Sequence, residues 1–157
     1  MEGAVIHCTG RGGIGQDWST VLQATINWFA NSTSNASAHF VIDRDGTIHR
    51  CVPVSRVAWH AGVVDKPMYS WMSEWNPNQI TVGIELLGDT VTPYEMVQYQ
   101  ALAWLLVWLK RNKLPLLKFD TMHLIPHSLL YTQRTDPGPL FNWLLLSGLI
   151  EYYEGKE

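Results

Sequence analysis

Apolar positions recur along this chain with two periods, two and about 3.6, and these separate strands from helices. Ala4-Val5-Ile6-His7-Cys8 is a short apolar run ended by the glycine-rich stretch 10–15, which predicts a buried strand with His7 near its end. Between residues 80 and 87, Ile80, Val82, Ile84 and Leu86 point one way while Thr81, Gly83, Glu85 and Leu87 point the other, so a second strand carries a carboxylate. Ala38–Asp43 and Ile48–Val52 flank Arg44-Asp45-Gly46-Thr47. Asp-Gly readily takes positive φ, so this segment predicts an antiparallel hairpin. Thr121–Ile125 predicts a further strand.

The 3.6-residue period appears in three places. Val21, Leu22, Ile26, Trp28 and Phe29 predict a helix ending near Ala30, with Asp17 or Ser19 as its cap. Thr92-Pro93-Tyr94-Glu95 reads as a capping box with proline at the first helical position, and Lys110, Arg111 and Lys113 suit the far end's dipole before Pro115. A last helix is predicted over Pro139–Leu149. The pattern is mixed α/β, and without repeats or a linker long enough to divide the chain, residues 1–157 are expected to form one domain.

Composition narrows the possible partners. With 157 residues, 46% of them hydrophobic, and a formal charge of −3 with eight tryptophans, the chain can bury a core and is the reverse of a disordered composition. Eleven basic residues against fourteen acidic ones, without a dense basic run, argue against nucleic acid as a partner. The longest apolar run, Ala101–Leu109, has nine residues and is too short to insert into a membrane. The opening segment has no basic stretch followed by an apolar one, so no secretory signal is expected. The expected setting is the cytoplasm, or a phage-encoded protein released at lysis. Cys8 and Cys51 lack metal or redox spacing and are expected to be small buried hydrophobes.

Three patterns bear on chemistry. Gly10-Arg11-Gly12-Gly13-Ile14-Gly15 fits G-x-G-x-x-G, but an Asp-Gly hairpin follows and no acidic residue lies about 20 positions on, so the stretch reads as loop. His123-x-x-x-His127 has the spacing of a helical zinc pair, yet Pro126 opposes a helix and Leu124 stands where that motif carries glutamate. His7, His127 and Asp136 lie at element ends where loops can converge, and two imidazoles with a carboxylate make a zinc site with an open position. Taken singly, each has an ordinary structural reading: a satisfied strand-end histidine, or an aspartate that turns the chain ahead of prolines.

A family resemblance weighs on that choice. Val5-Ile6-His7-Cys8-Thr9, residues 37–48, Ala58-Trp59-His60-Ala61-Gly62, Val82-Gly83-Ile84-Glu85-Leu86, and His127-Ser128 through Arg134 to Trp143 resemble, in order, the blocks of the type 2 zinc-dependent N-acetylmuramoyl-L-alanine amidases. The family shares its fold with the peptidoglycan recognition proteins. The resemblance implies a central mixed β-sheet flanked by helices and a Zn2+ cofactor held in a groove by His7, His127 and Asp136. It further implies Glu85 as the general base and, for His60 and Ala61, a place in the groove wall against substrate. Many members carry lysine two residues before the third ligand. Here Arg134 stands there, able to stabilise an oxyanion by charge but not to donate a proton. Ala38 stands where some phage-type members have tyrosine, so the glutamate-type site is the one implied.

The activity so implied is hydrolysis of the amide between N-acetylmuramic acid and L-alanine, with peptidoglycan or muropeptide as the partner. The alternatives are a non-catalytic peptidoglycan-recognition module, which would lack a metal ligand, and a thiol hydrolase using Cys8. The latter is opposed by the opposite pointing of His7 and Cys8 on one strand. Gly83 is expected to leave room for substrate backbone. Tyr69, Trp71 and Trp75 are either a sugar-stacking wall or pins that hold a long loop to the core. His39 is expected to be structural, and His49 and His123 have no assigned role.

Overall fold

The computed structural model describes residues 1–10, 15, 17–65, 69–72 and 76–156. Five strands form one mixed sheet: β1 (Gly3–Cys8), β2 (Phe40–Ile42), β3 (Ile48–Arg50), β4 (Thr81–Leu86) and β5 (Leu124–Pro126), in the order β3-β2-β4-β1-β5. The hairpin β2–β3 is antiparallel, and every other pairing is parallel. Gly46 turns the hairpin at φ 86°, where a Cβ would meet the Val97 backbone at 3.0 Å. Pro126 is tolerated because β5 is an edge strand, where a missing ladder donor costs little.

Side-chain alternation gives the sheet two unlike faces. Ala4, Ile6 and Cys8 of β1 and Val82, Ile84 and Leu86 of β4 join one apolar cluster with Leu102, Leu106 and Leu109 of helix α3 (Met96–Asn112) and Leu146 and Ile150 of α4 (Trp143–Glu154). The other face carries His7, Thr81, Gly83 and Glu85. It is bordered by α1 (Trp18–Ala30), by the chain after β3 and by the single turn α2 (Pro77–Ile80).

The helix ends depart from the sequence reading in instructive ways. Asp17 caps α1 as expected, accepting from Ser19 N–H. The expected capping box at Thr92-Pro93-Tyr94-Glu95 lies outside α3. Asp89 Oδ1 takes the Thr92 N–H at 2.6 Å, and the cap falls to Glu95, whose N–H donates to Gln98 Oε1 at 3.1 Å. The last helix begins at Trp143 and not at Pro139, because Asn142 accepts the Leu145 N–H at 2.9 Å and so sets the first turn. The strand expected over Thr121–Ile125 is three residues further on at its start, since 120–123 form a turn around the Asp120 carboxylate. The 10–15 glycine stretch lies almost wholly outside the described residues. β2 runs parallel to β1 but with β4 between them.

Candidate metal centre and groove

Register on the central strands sets the first half of the site. β1 and β4 pair in parallel with His7 opposite Glu85, and period two sends both side chains to the groove face. The second half comes from chain beyond β5. His127 opens a 3-10 turn directly after Pro126, and Asp136 returns to it, its carbonyl accepting the Ser128 N–H at 3.2 Å.

These elements bring three donor atoms together. Asp136 Oδ2 lies 3.2 Å from His7 Nδ1 and 3.1 Å from His127 Nδ1, and one donor atom from each of the three residues lies within 4.8 Å of the others. All three residues are buried. Ligands on a tetrahedral zinc at ~2.0–2.1 Å stand about 3.3 Å apart, so the two Asp136 separations are close to the edges of such a tetrahedron. The contacts of His127 also fit a cation. Its Nε2 faces the Ala61 carbonyl at 3.0 Å, leaving Nδ1 toward a carboxylate, and a neutral imidazole has one proton for two acceptors. The donor set, two imidazole nitrogens and one oxygen, is one that zinc prefers.

Burial and charge prepare these groups. Burial lowers His7 to about 4 against the pull of the Asp136 carboxylate, so the imidazole is neutral at physiological pH, the form that can bind a metal ion. Burial by itself would raise Asp136, but the His127 and His7 imidazoles beside it outweigh that and hold the carboxylate far below its usual range. Glu85 goes the other way. Burial first, then the Asp136 charge, push it up to about 8 against the pull of Arg134, and its Oε2 is buried with no hydrogen-bond partner. A carboxylate so raised and unpaired binds a proton readily, and a divalent cation on the neighbouring donors would bring it back toward ionisation at neutral pH.

The donors sit in a groove of about 290 Å³ that Thr9, Trp28, Trp59, Glu85 and Arg134 help to line. Arg134 is exposed and Glu85 partly covered, so the guanidinium is at the rim. Trp28 and Trp59 are 48% and 55% exposed, two apolar plates flanking the groove that the sequence reading did not single out. Trp28 fell within an apolar helical stripe and Trp59 beside a more conspicuous histidine, so exposure alone reveals them.

His60 lines the groove, as the resemblance implies for it, and both His60 and Ala61 are buried; His60 Nδ1 meets His7 Nε2 at 3.1 Å, and Ala61 supplies the carbonyl to His127. Gly83 does not leave room for substrate, since a Cβ there would meet His60 Cγ at 2.3 Å; the space belongs to that ring. Tyr69 and Trp71 pin the loop, with Trp71 stacked on His123 at 4.5 Å and donating to the Met122 carbonyl; Trp75 is outside the described residues. His39 is structural as expected, accepting the Gly83 N–H on Nδ1. Burial lifts the Cys8 thiol to about 11 within the apolar cluster, which opposes a thiolate nucleophile.

The N-acetylmuramoyl-L-alanine amidase family model matches residues 1–139. Fold, donor set and match agree, and the chain belongs to this family. It is 35% identical to the 1,6-anhydro-N-acetylmuramyl-L-alanine amidase AmpD of Citrobacter freundii, over 77% of this chain and 60% of that one, and 36% identical to its Escherichia coli K12 counterpart over 68% and 54%. The chain thus spans about 60% of the length of the curated relatives it matches. A crystal structure of an AmpD selenomethionine derivative superposes with a TM-score of 0.68 at 27% identity, covering 96% of this chain and 86% of that one. The E. coli amidase AmiD, solved with anhydro-N-acetylmuramic acid-L-Ala-D-γ-Glu-L-Lys, shares the fold at TM-score 0.70 and 23% identity, covering 95% and 57%.

Proposed function

We propose that this chain is a single zinc-dependent amidase domain that cleaves the amide joining N-acetylmuramic acid to L-alanine, with the soluble anhydro-muropeptide as its preferred substrate. The convergence of His7 Nδ1, His127 Nδ1 and Asp136 Oδ2 beside an unpaired Glu85 carries the reading. A complete donor set opposes the non-catalytic recognition module. The names of the AmpD relatives favour the anhydro substrate over intact wall.

Residues His7, His127 and Asp136 would hold the ion, which supplies Lewis acidity and makes a water acidic enough to attack near neutral pH. Glu85 Oε2 takes the proton from the attacking water and delivers it to the departing alanine nitrogen. Arg134 at the rim sets a permanent positive charge toward the oxyanion that develops on the lactyl carbonyl. Trp28 and Trp59 offer apolar faces to the sugar or the stem peptide. The apolar side of the sheet holds β1 and β4 in register and thereby sets the spacing of base and ligand.

Mass spectrometry after incubation with anhydro-muropeptide or with whole sacculi, with and without a chelator, tests this. Release of free stem peptide from the soluble fragment, lost on chelation and restored by zinc, is the expected result. A zinc-loaded protein that leaves both substrates intact overturns the proposal, and faster release from sacculi overturns the substrate assignment.

A further inference from the structure

Residues 60 and 61 touch both imidazoles of the candidate metal centre, and one buried side chain holds this dipeptide. Asn78 Oδ1 accepts from the backbone N–H groups of His60 and Ala61, each at 2.8 Å. Two donors fill both lone pairs of that oxygen and leave the dipeptide one orientation. Asn78 has its own seat, since its N–H and Nδ2 both donate to Asn76 Oδ1 at 3.0 and 2.9 Å.

From this dipeptide one bond runs to each histidine, one from the His60 ring and one from the Ala61 carbonyl. The Ala61 carbonyl can only accept, so His127 Nε2 carries the proton in their 3.0 Å contact. The direction of the His60–His7 bond follows from the other end of the His60 ring. Thr81 has a single hydroxyl proton and gives it to the Pro77 carbonyl at 2.6 Å, so in its 3.3 Å contact with His60 Nε2 the nitrogen donates. His60 Nδ1 is left as an acceptor, and His7 Nε2 donates to it. Both imidazoles are thereby set as Nε2–H, with Nδ1 turned toward Asp136. Outer hydrogen bonds of this kind fix the tautomer and ring angle of metal-binding histidines.

We propose that Asn78, acting through His60 and Ala61, is the positioning residue that aims both imidazoles at a divalent cation. This rests on the metal reading above and adds a residue that touches neither cation nor substrate.

Zinc affinity measured by chelator competition, and the visible absorption of the cobalt-substituted protein, test it. N78A is expected to bind zinc about 10–100-fold more weakly and to change the cobalt spectrum. In the metal-free protein, the His60 and Ala61 amide protons should exchange about tenfold faster in N78A, with the β4 amides still protected. Native zinc affinity and cobalt spectrum in a folded N78A, or unchanged exchange at residues 60 and 61, overturn the proposal. Should N78A not fold, T81V breaks the His60 arm alone, and unchanged zinc affinity there overturns it equally. A native chain that binds no zinc, yet whose exchange still depends on Asn78, overturns the metal reading and leaves the bracket standing.

Discussion

The two faces of the sheet are made by the same strands and obey opposite rules. On the side of α3 and α4, Ile6, Ile84, Leu102 and Leu106 are fully buried and belong to one apolar cluster. On the groove side, His7, His39, His60 and Thr81 are also buried, yet each is tied by hydrogen bonds, and among the described residues the one fully buried carboxylate oxygen without a partner belongs to Glu85. Alternation with period two lets one strand place a core residue and a chemical group on successive positions. Stability and chemistry are therefore separable by face, and substitutions can test that separation.

The largest effect is expected from E85Q, which keeps the shape but removes the proton acceptor. Turnover should fall by about 10²–10⁴ while zinc affinity stays native. Turnover within tenfold of native would reject Glu85 as the base. On the opposite face, L106A should cost about 2–5 kcal/mol of stability in chemical denaturation with the turnover of the folded enzyme unchanged. A loss of turnover in folded L106A would show that the faces are coupled. G83A mixes the two, since its Cβ drives into the His60 ring. It should cost about 1–3 kcal/mol and also weaken zinc binding, and a stable G83A with native affinity breaks the argument. R134A should lower turnover by about tenfold, because an exposed charge is screened, and R134K should restore it; an unaffected R134A would mean the charge is idle.

A pH dependence of the metal-free protein gives a test with a different readout. Burial raises folded Glu85 to about 8 from an ordinary 4.5, so between those values the folded state holds a proton that the unfolded chain has released. Its contribution to stability therefore falls as pH rises through that window. Thermal melting at pH 5 and pH 8 should show a smaller drop for E85Q than for the native chain. Equal drops would mean that Glu85 is not buried as described.

Much of this architecture was legible before any coordinates. Alternation around Glu85, the Asp-Gly turn and the Asp17 cap are local signals, and local signals suffice for strands β1–β4 and helix α1. The starts of α3 and α4 were not legible, because Thr92 and Pro139 carry good helix-start chemistry that the neighbouring Asp89 and Asn142 override. In the site, His7, His127 and Asp136 are too far apart in sequence for spacing to join them, and only the family resemblance did so. The hydrogen bonds of Asn78 to residues 60 and 61 and of Ala61 to His127 escaped both, since they depend on backbone N–H and carbonyl groups that every residue type possesses.

The pairing of His7 with Glu85 across adjacent parallel strands has one further consequence. Half of the candidate centre is anchored to a hydrogen-bonded ladder, whereas Arg134 and Asp136 ride on connecting chain that can lengthen or change composition at little energetic cost. Divergence in what this scaffold accepts as substrate should accordingly accumulate in that connecting chain, leaving the spacing of Glu85 and His7 almost invariant.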